Sequence, residues 1–339
     1  MGDKGVSTPP HSHDSCYKPS RMPPPTFTIV ITTFNRWGFL NRAIDSALNQ
    51  SLPCEVIVID DASTDETAQR MGHLVSSLQD QGDARLKYVR NESNCGHSQS
   101  VNVGVAEATG TWIKFLDDDD YLAPNCIEVM LQAIALHPTA VICSGQAIQV
   151  NSGGHLLGCT PSIGPVPVFH IPQVNIHRGM LLEQVAFGTP VQVAVSREAF
   201  LKSGGWDIHL TVCDDIDSWV RIAQFGDAIF INQGLAYRTV WEGGSNRKNS
   251  IQERLNTNLK IKQKIYAHIR PEHQAQLPSI KDIQNYLNLH WGFVALKDRQ
   301  LFTGLKLLLP SVPFLMAWKL LLQARTKQHQ LPAPMQVIH

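Results

Sequence analysis

From Thr26 onward, short runs of aliphatic and β-branched residues alternate with segments whose apolar residues recur every three or four positions. Strands spaced by helices in this way build a parallel sheet covered on its faces, so the class is α/β. Residues 27–33 read as the first strand, and Leu40, Ile44, Ala47 and Leu48 share one face of the helix after it. Residues 56–59 read as a second strand ending at Asp60 and Asp61. Ser63 with Glu66 three residues on is a capping box that predicts a helix start there. Two more strands follow at 86–89 and 112–116, separated by a helix bearing Val101, Val105 and Ala108. Val191, Val193 and Val195 alternate in a later strand. Beyond Asn246 the period is helical, with Ile251, Leu255 and Leu259 on one face and Ile283, Leu287, Trp291 and Val294 on another.

Three strand ends carry polar residues: Thr32 to Asn35, Asp60 with Asp61, and Asp117 to Asp120. In doubly wound sheets ligands bind at the carboxyl ends of the strands, so the coincidence describes one pocket for a nucleotide and a metal. Four adjacent carboxylates repel one another unless a cation is shared, which makes the last run a candidate divalent-metal site. An acidic solvated turn before the helix announced by Pro124 fits the run as well. No G-x-G-x-x-G fingerprint and no Walker lysine follows the first strand, so the nucleotide is expected to be neither NAD nor a hydrolysed triphosphate.

Composition narrows the partners. With 43% apolar and 17% charged residues, the 339-residue chain can bury a sizeable core. Lysine plus arginine equals aspartate plus glutamate at 29 each, and no basic run with interleaved aromatics offers a nucleic-acid groove. Seven scattered cysteines without a C-x-x-C pair indicate neither a zinc cage nor a disulfide framework, and a reducing cytoplasm is the expected compartment. Residues 1–25 are proline-rich and polar with no apolar stretch of the signal-peptide kind. A disordered tail is expected there, with His11 and His13 as loop residues.

Four ordered segments, IVITTFNR (29–36), VIDDASTD (58–65), NCGHSQSVNVG (94–104) and FLDDDDYLAP (115–124), resemble glycosyltransferase family 2. The resemblance runs over residues 26–245 and implies a GT-A fold, a Rossmann-like domain around a mostly parallel mixed sheet, with 246–339 as a helical C-terminal extension. It implies transfer of a sugar, with inversion, from a nucleoside diphosphate donor, by default UDP, assisted by Mn²⁺ or Mg²⁺. The implied acceptor is a glycan or a lipid-linked one, as in surface polysaccharide biosynthesis. Carried over by position, Asp61 or Asp60 accepts a hydrogen bond from the nucleobase, beside Thr32, Thr33 and Asn35; a turn or N-cap role is the alternative. Asp117, Asp119 and Asp120 satisfy the family's Asp-x-Asp-Asp. Asp119 matches the metal ligand, Asp118 aligns with the ribose contact, and Asp117 belongs to the same nucleotide-binding set.

In the second half, Gly204-Gly205-Trp206-Asp207 resembles the family's acceptor-side loop, and DDIDSWVR (214–221) its acidic pair with an arginine six residues after the second acid. Asp215 is thereby the expected catalytic base, with Asp214 beside it. N-capping also favours acids in a first turn, by about 0.3–1 kcal/mol each. Arg221 is expected to hold Asp217 or Asp214 through an i,i+4-type pair. Trp206 either stacks an acceptor sugar or is a core tryptophan. The chain departs from the family pattern at Val101, where arginine is common, and at Asp214, where glutamate is common. It departs again after Arg238, where a histidine is common and Trp241 to Lys248 stand. Arg247 and Lys248 are candidates to close over the diphosphate, a plain loop being the other reading.

The stretch 301–322 is markedly apolar, and from 301 to the end there are four Lys or Arg and no Asp or Glu. Lys306, Pro310, Pro313 and Lys319 interrupt it, so a membrane span is not expected. It reads as a basic amphipathic anchor on the inner face of the membrane, or as a helix covering the domain or a dimer contact. Two rival functions keep the same fold. A sugar nucleotidyltransferase wants a glycine-rich loop and a basic residue after the first strand, which Thr32 to Asn35 do not offer. Against a binding scaffold without turnover, the other alternative, stand the intact Asp119 and Asp215.

Overall fold

The computed structural model describes residues 26–210, 212–241 and 250–326; the tail expected over 1–25, and the candidates Arg247 and Lys248, lie outside the described residues. The N-terminal part lays down β1 (Phe27–Thr33), α1 (Trp37–Leu48), β2 (Glu55–Asp60), α2 (Thr67–Asp80), β3 (Leu86–Arg90), α3 (His97–Glu107) and β4 (Trp112–Asp117). These strands lie in the order β3-β2-β1-β4, all parallel, so their carboxyl ends open on one edge. The middle of the chain adds β5 (Tyr121–Leu122), α4 (Cys126–Leu136), β6 (Ala140–Asn151), β7 (Leu156–Cys159), β8 (Val168–Ile171) and α5 (Gln173–Leu181). After them come β9 (Val193–Ser196), α6 (Arg197–Lys202), α7 (Asp214–Ile222) and β10 (Asp227–Val240). β9 runs antiparallel between β4 and β6, and β10 lies parallel to β6, which makes the ten-stranded sheet mixed. The chain continues through α8 (Ile251–Ala267), α9 (Pro271–Gln274), α10 (Ile280–Lys297), α11 (Leu301–Leu308) and α12 (Leu315–Thr326).

Both faces of the sheet are covered, which is why its strands read as unbroken apolar runs. Ile29 and Ile31 of β1 pack with Leu40, Ile44 and Met130 on one side, and Val30 packs with Ile59, Val105 and Phe115 on the other. Helix α3 lies so close to β1 that a Cβ on Gly104 would collide with Val30. Ile251, Leu255, Ile283, Leu287 and Leu321 of the C-terminal helices join the Val30-side cluster, so the helical part and the sheet share one core.

Two local expectations change. The capping box at Ser63 does not form: α2 begins at Thr67, and Ala62 sits at a φ of 64°. The Ser63 N–H donates to Asp60 Oδ1 (2.8 Å), and the Ser63 hydroxyl oxygen accepts the Asn35 N–H (2.9 Å), so that oxygen caps no helix. Val191 lies in a 3₁₀ turn, Pro190–Gln192, ahead of β9 instead of inside the strand.

Candidate active site

The register of the sheet sets the polar ends level, with Thr33 opposite Asp60 and Thr32 opposite Asp117. The loops beyond them are tied to one another. Asn35, in the left-handed region that asparagine tolerates, accepts the N–H groups of Thr64 (2.6 Å) and Asp65 (3.2 Å) on its side-chain oxygen. The Asp61 carboxylate accepts from the Cys95 and Gly96 N–H groups (2.8 and 2.9 Å) and from the Asn91 amide, joining the end of β2 to the start of α3. Asp60, the other candidate of the pair, turns the opposite way. It is fully buried, with its oxygens bound to the Ser63 N–H and the Tyr88 hydroxyl (2.6 Å) and with Arg90 3.5 Å away.

Each acid of the 117–120 run has its own partner. Asp117 faces the His97 ring nitrogen Nε2 at 3.1 Å. Asp118 accepts from the Thr33 hydroxyl (2.8 Å) and from Arg36 (3.1 Å). Asp119 accepts the Trp241 indole N–H (2.8 Å) and has Arg36 at 3.6 Å, and Asp120 accepts the Thr239 backbone N–H (2.7 Å). Burial lifts the pKa of Asp118 to about 6, against the Arg36 charge, and also lifts those of Asp119 and Asp120, to which neighbouring carboxylates add. With both oxygens bound and only 3% of its surface exposed, Asp118 braces the end of β1 in this structure.

Among the described residues, no group of three or more His, Cys, Asp or Glu converges on a point where a metal ion would be held. Each acid of the run has a donor or ring nitrogen of the protein beside it. The donor chemistry still fits Mg²⁺ or Mn²⁺, since such ions are held by one or two carboxylates with substrate phosphates and water completing the shell. Asp119 offers one such carboxylate, part-exposed at the edge of the sheet.

His97 is a site residue that the sequence reading did not single out. It opens α3 directly after Gly96 and stands between Asp117 and Asp214, 3.6 Å from the latter, while the Ser98 hydroxyl donates to Asp214 at 2.7 Å. Desolvation opposes its charge, but bonds and charge from Asp117 and Asp214 raise its pKa to about 10, favouring the imidazolium. Its signal was a titratable residue in the first turn of a motif helix, where sequence alone shows no partner. The acidic pair divides accordingly. Burial works against ionised Asp214, yet His97 and Ser98 hold its pKa below the usual range. Burial and then the Asp214 charge raise Asp215 to about 7, with the Ile216 N–H (2.7 Å) opposing.

Arg221 pairs with Asp217 at 2.8 Å, and the buried Asp217 also takes Lys264 of α8 at 2.5 Å. Trp206 is a core residue: at 2% exposure its ring packs on Phe115 and Trp219 and leaves no face for a sugar. Gly204 and Gly205 ahead of it take φ of 87° and 71°, and Asn102 clamps its backbone by accepting its N–H (2.8 Å) and donating to its carbonyl (2.9 Å). The third motif and the acceptor-side loop are thus one unit.

The profile of glycosyl transferase family 2 matches residues 28–201, and the chain belongs to that family. An uncharacterized glycosyltransferase of Haemophilus influenzae is 28% identical over 200 residues, 58% of this chain and 62% of that one. The succinoglycan biosynthesis protein ExoU of Rhizobium meliloti is 28% identical over 229 residues, 66% of this chain and 64% of that one. The GalNAc(5)-diNAcBac-PP-undecaprenol beta-1,3-glucosyltransferase of Campylobacter jejuni is 36% identical over 110 residues, 32% and 34% of the two chains. The match thus spans between 34% and 64% of the length of these relatives. Staphylococcus aureus TarS 1-349 with UDP-GlcNAc gives a TM-score of 0.63 at 18% identity, covering 90% of this chain and 88% of that one. Mannosyltransferase PcManGT from Pyrobaculum calidifontis, with GDP-Man and Mn²⁺, gives 0.55 at 19% identity, covering 93% and 86%. These likenesses show the fold, GT-A with a helical C-terminal part.

Trp206→Ala is expected to lower the free energy of unfolding by about 3–5 kcal/mol, the cost of emptying a buried tryptophan site, measured by chemical denaturation. Unchanged stability with lost acceptor affinity would return the ring to the acceptor site.

Proposed function

We propose that the protein is an inverting glycosyltransferase that moves a sugar from a nucleoside diphosphate to a hydroxyl of a glycan or lipid-linked acceptor. The observation that carries this reading is the acidic pair at the start of α7: His97 (3.6 Å) and Ser98 (2.7 Å) stand at Asp214 and hold its pKa low, while burial raises that of Asp215, next to it, to about 7. A carboxylate tuned to that value is ionised often enough at neutral pH and basic enough to serve as a general base. His97 links the pair to Asp117 at the nucleotide edge, so base and donor side are held in one frame.

In the proposed reaction the acceptor oxygen attacks the anomeric carbon while Asp215 takes its proton. The bond from that carbon to the diphosphate oxygen breaks on the opposite face, and its electron pair leaves with the diphosphate. Attack and departure on opposite faces invert the configuration. Thr32, Thr33, Asn35 and Asp61 form the edge proposed for the nucleoside, with Asp117 beside the sugar. Asp119 would hold Mn²⁺ or Mg²⁺, which when bound neutralises charge developing on the diphosphate. Arg36, 3.6 Å from Asp119, adds a fixed positive charge there. His97 keeps Asp214 ionised, and its charge tempers the rise in the Asp215 pKa. UDP as donor nucleotide is supported by the UDP-GlcNAc complex of TarS, and a polysaccharide or lipid-linked acceptor by what ExoU and the Campylobacter enzyme are named for.

Asp215→Asn is expected to lower kcat by about 10²–10⁴, the usual worth of a positioned base, with donor affinity kept. In the wild type, kcat/KM should climb through a pKa near 7, because only ionised Asp215 accepts the proton. His97→Gln should move that limb to higher pH, since the imidazolium lowers the Asp215 pKa. A limb that stays in place would remove His97 from the tuning of the base. Ligand-detected NMR against UDP-, dTDP- and GDP-sugars, with and without Mn²⁺, should find one donor whose metal-dependent binding is lost in Asp119→Ala. No binding to any donor by well-folded protein would sink the donor site.

A further inference from the structure

We propose that the outer faces of α11 and α12, with the turn between them, form a patch that seats the protein on an anionic lipid surface. Helix α11 is apolar on both sides. Its inner side buries Gly304, Leu307 and Leu308 against α10, at a crossing where a Cβ on Gly292 would sit 2.7 Å from Leu308 and one on Gly304 2.6 Å from Leu296. Its outer side, which a solvated helix fills with polar residues, instead exposes Leu301, Phe302, Leu305 and Leu309. The ridge runs on through exposed Val312 to Leu315 at the head of α12, and Phe302 and Leu315 are 83% and 85% exposed. An isolated exposed leucine needs no explanation; a continuous ridge of this kind marks a docking surface.

Charge selects the occupant. Lys306 and Lys319 are exposed on these same two helices, and no Asp or Glu follows Asp298 in the sequence. Lysine is depleted in the dry centre of protein–protein interfaces, which argues against a second copy. At a bilayer surface the lysine stems lie along apolar surface, their ammonium groups reach the headgroups, and anionic lipid supplies the matching charge. No helix among the described residues is long and apolar enough to cross a membrane. At 8 and 12 residues, α11 and α12 would lie in the plane of the interface. The inference deepens the lipid-linked acceptor reading, since it would bring the site to where such an acceptor resides, but its test reads binding and not turnover.

The test is flotation of the full-length protein with vesicles of phosphatidylcholine alone or mixed with phosphatidylglycerol, at low and high salt. Binding is expected to the mixed vesicles, weakened by salt. Joint Lys306→Glu and Lys319→Glu should reduce it by at least about tenfold, and joint Phe302→Glu and Leu315→Glu should abolish it. Melting temperatures should not change, because the altered side chains are exposed. Failure of the folded wild type to bind anionic vesicles would overturn the proposal, as would equal binding by both variants. A wild type that elutes at twice its mass, and becomes monomeric in the Phe302→Glu and Leu315→Glu variant, would assign the face to a second copy. Donor binding measured on the same samples tests the transfer reading separately.

Discussion

Crowded carboxylates at the carboxyl ends of β2 and β4 govern this structure. A buried carboxylate without a donor costs several kcal/mol, so each must be met, and the donors come from across the chain. Thr33 and Arg36 of the first motif serve Asp118, residues 91–96 serve Asp61, and Thr239 and Trp241, more than a hundred residues on, serve Asp120 and Asp119. Satisfying the acids ties the loops together. This edge of the sheet is therefore held by the same bonds that make its acidity tolerable.

The same network divides labour between the two acids of α7. Asp214 has a cation and a hydroxyl at hand, and Asp215 has burial and a charged neighbour. Adjacent residues of one chemical type thus have their pKa values pushed in opposite directions, which is what a reaction needing one base requires. The division depends on α3 and α7 standing side by side, and the double bond of Asn102 to the Trp206 backbone holds the loop before α7 against α3. Trp206 serves the site from below, as packing.

Local sequence signals failed where a tertiary partner competed for the same atoms. Ser63 with Glu66 has the spacing of a capping box, and so do Ser250 with Glu253 and Ser279 with Asp282, yet only the latter two form it. At Ser63 the hydroxyl is claimed by Asn35, whose loop must dock there if the ends of β1 and β2 are to stay level. Asp60 and Asp61, adjacent in sequence, could not be separated by pattern. Their different partners follow from which way each carboxylate turns at the end of the strand.

The sequence by itself determined the α/β class, the strands β1 to β4, the edge on which their polar ends gather and the family, because apolar periodicity and short polar motifs are local properties. It also showed a tail both apolar and basic. Only the tertiary structure decided which partner each acid meets, that Trp206 is buried, that His97 stands between Asp117 and Asp214, and that apolar residues of α11 are exposed. Those are facts about orientation and long-range contact, and residues such as Ser98 and Asp214, 116 positions apart, meet only because the sheet brings their helices together.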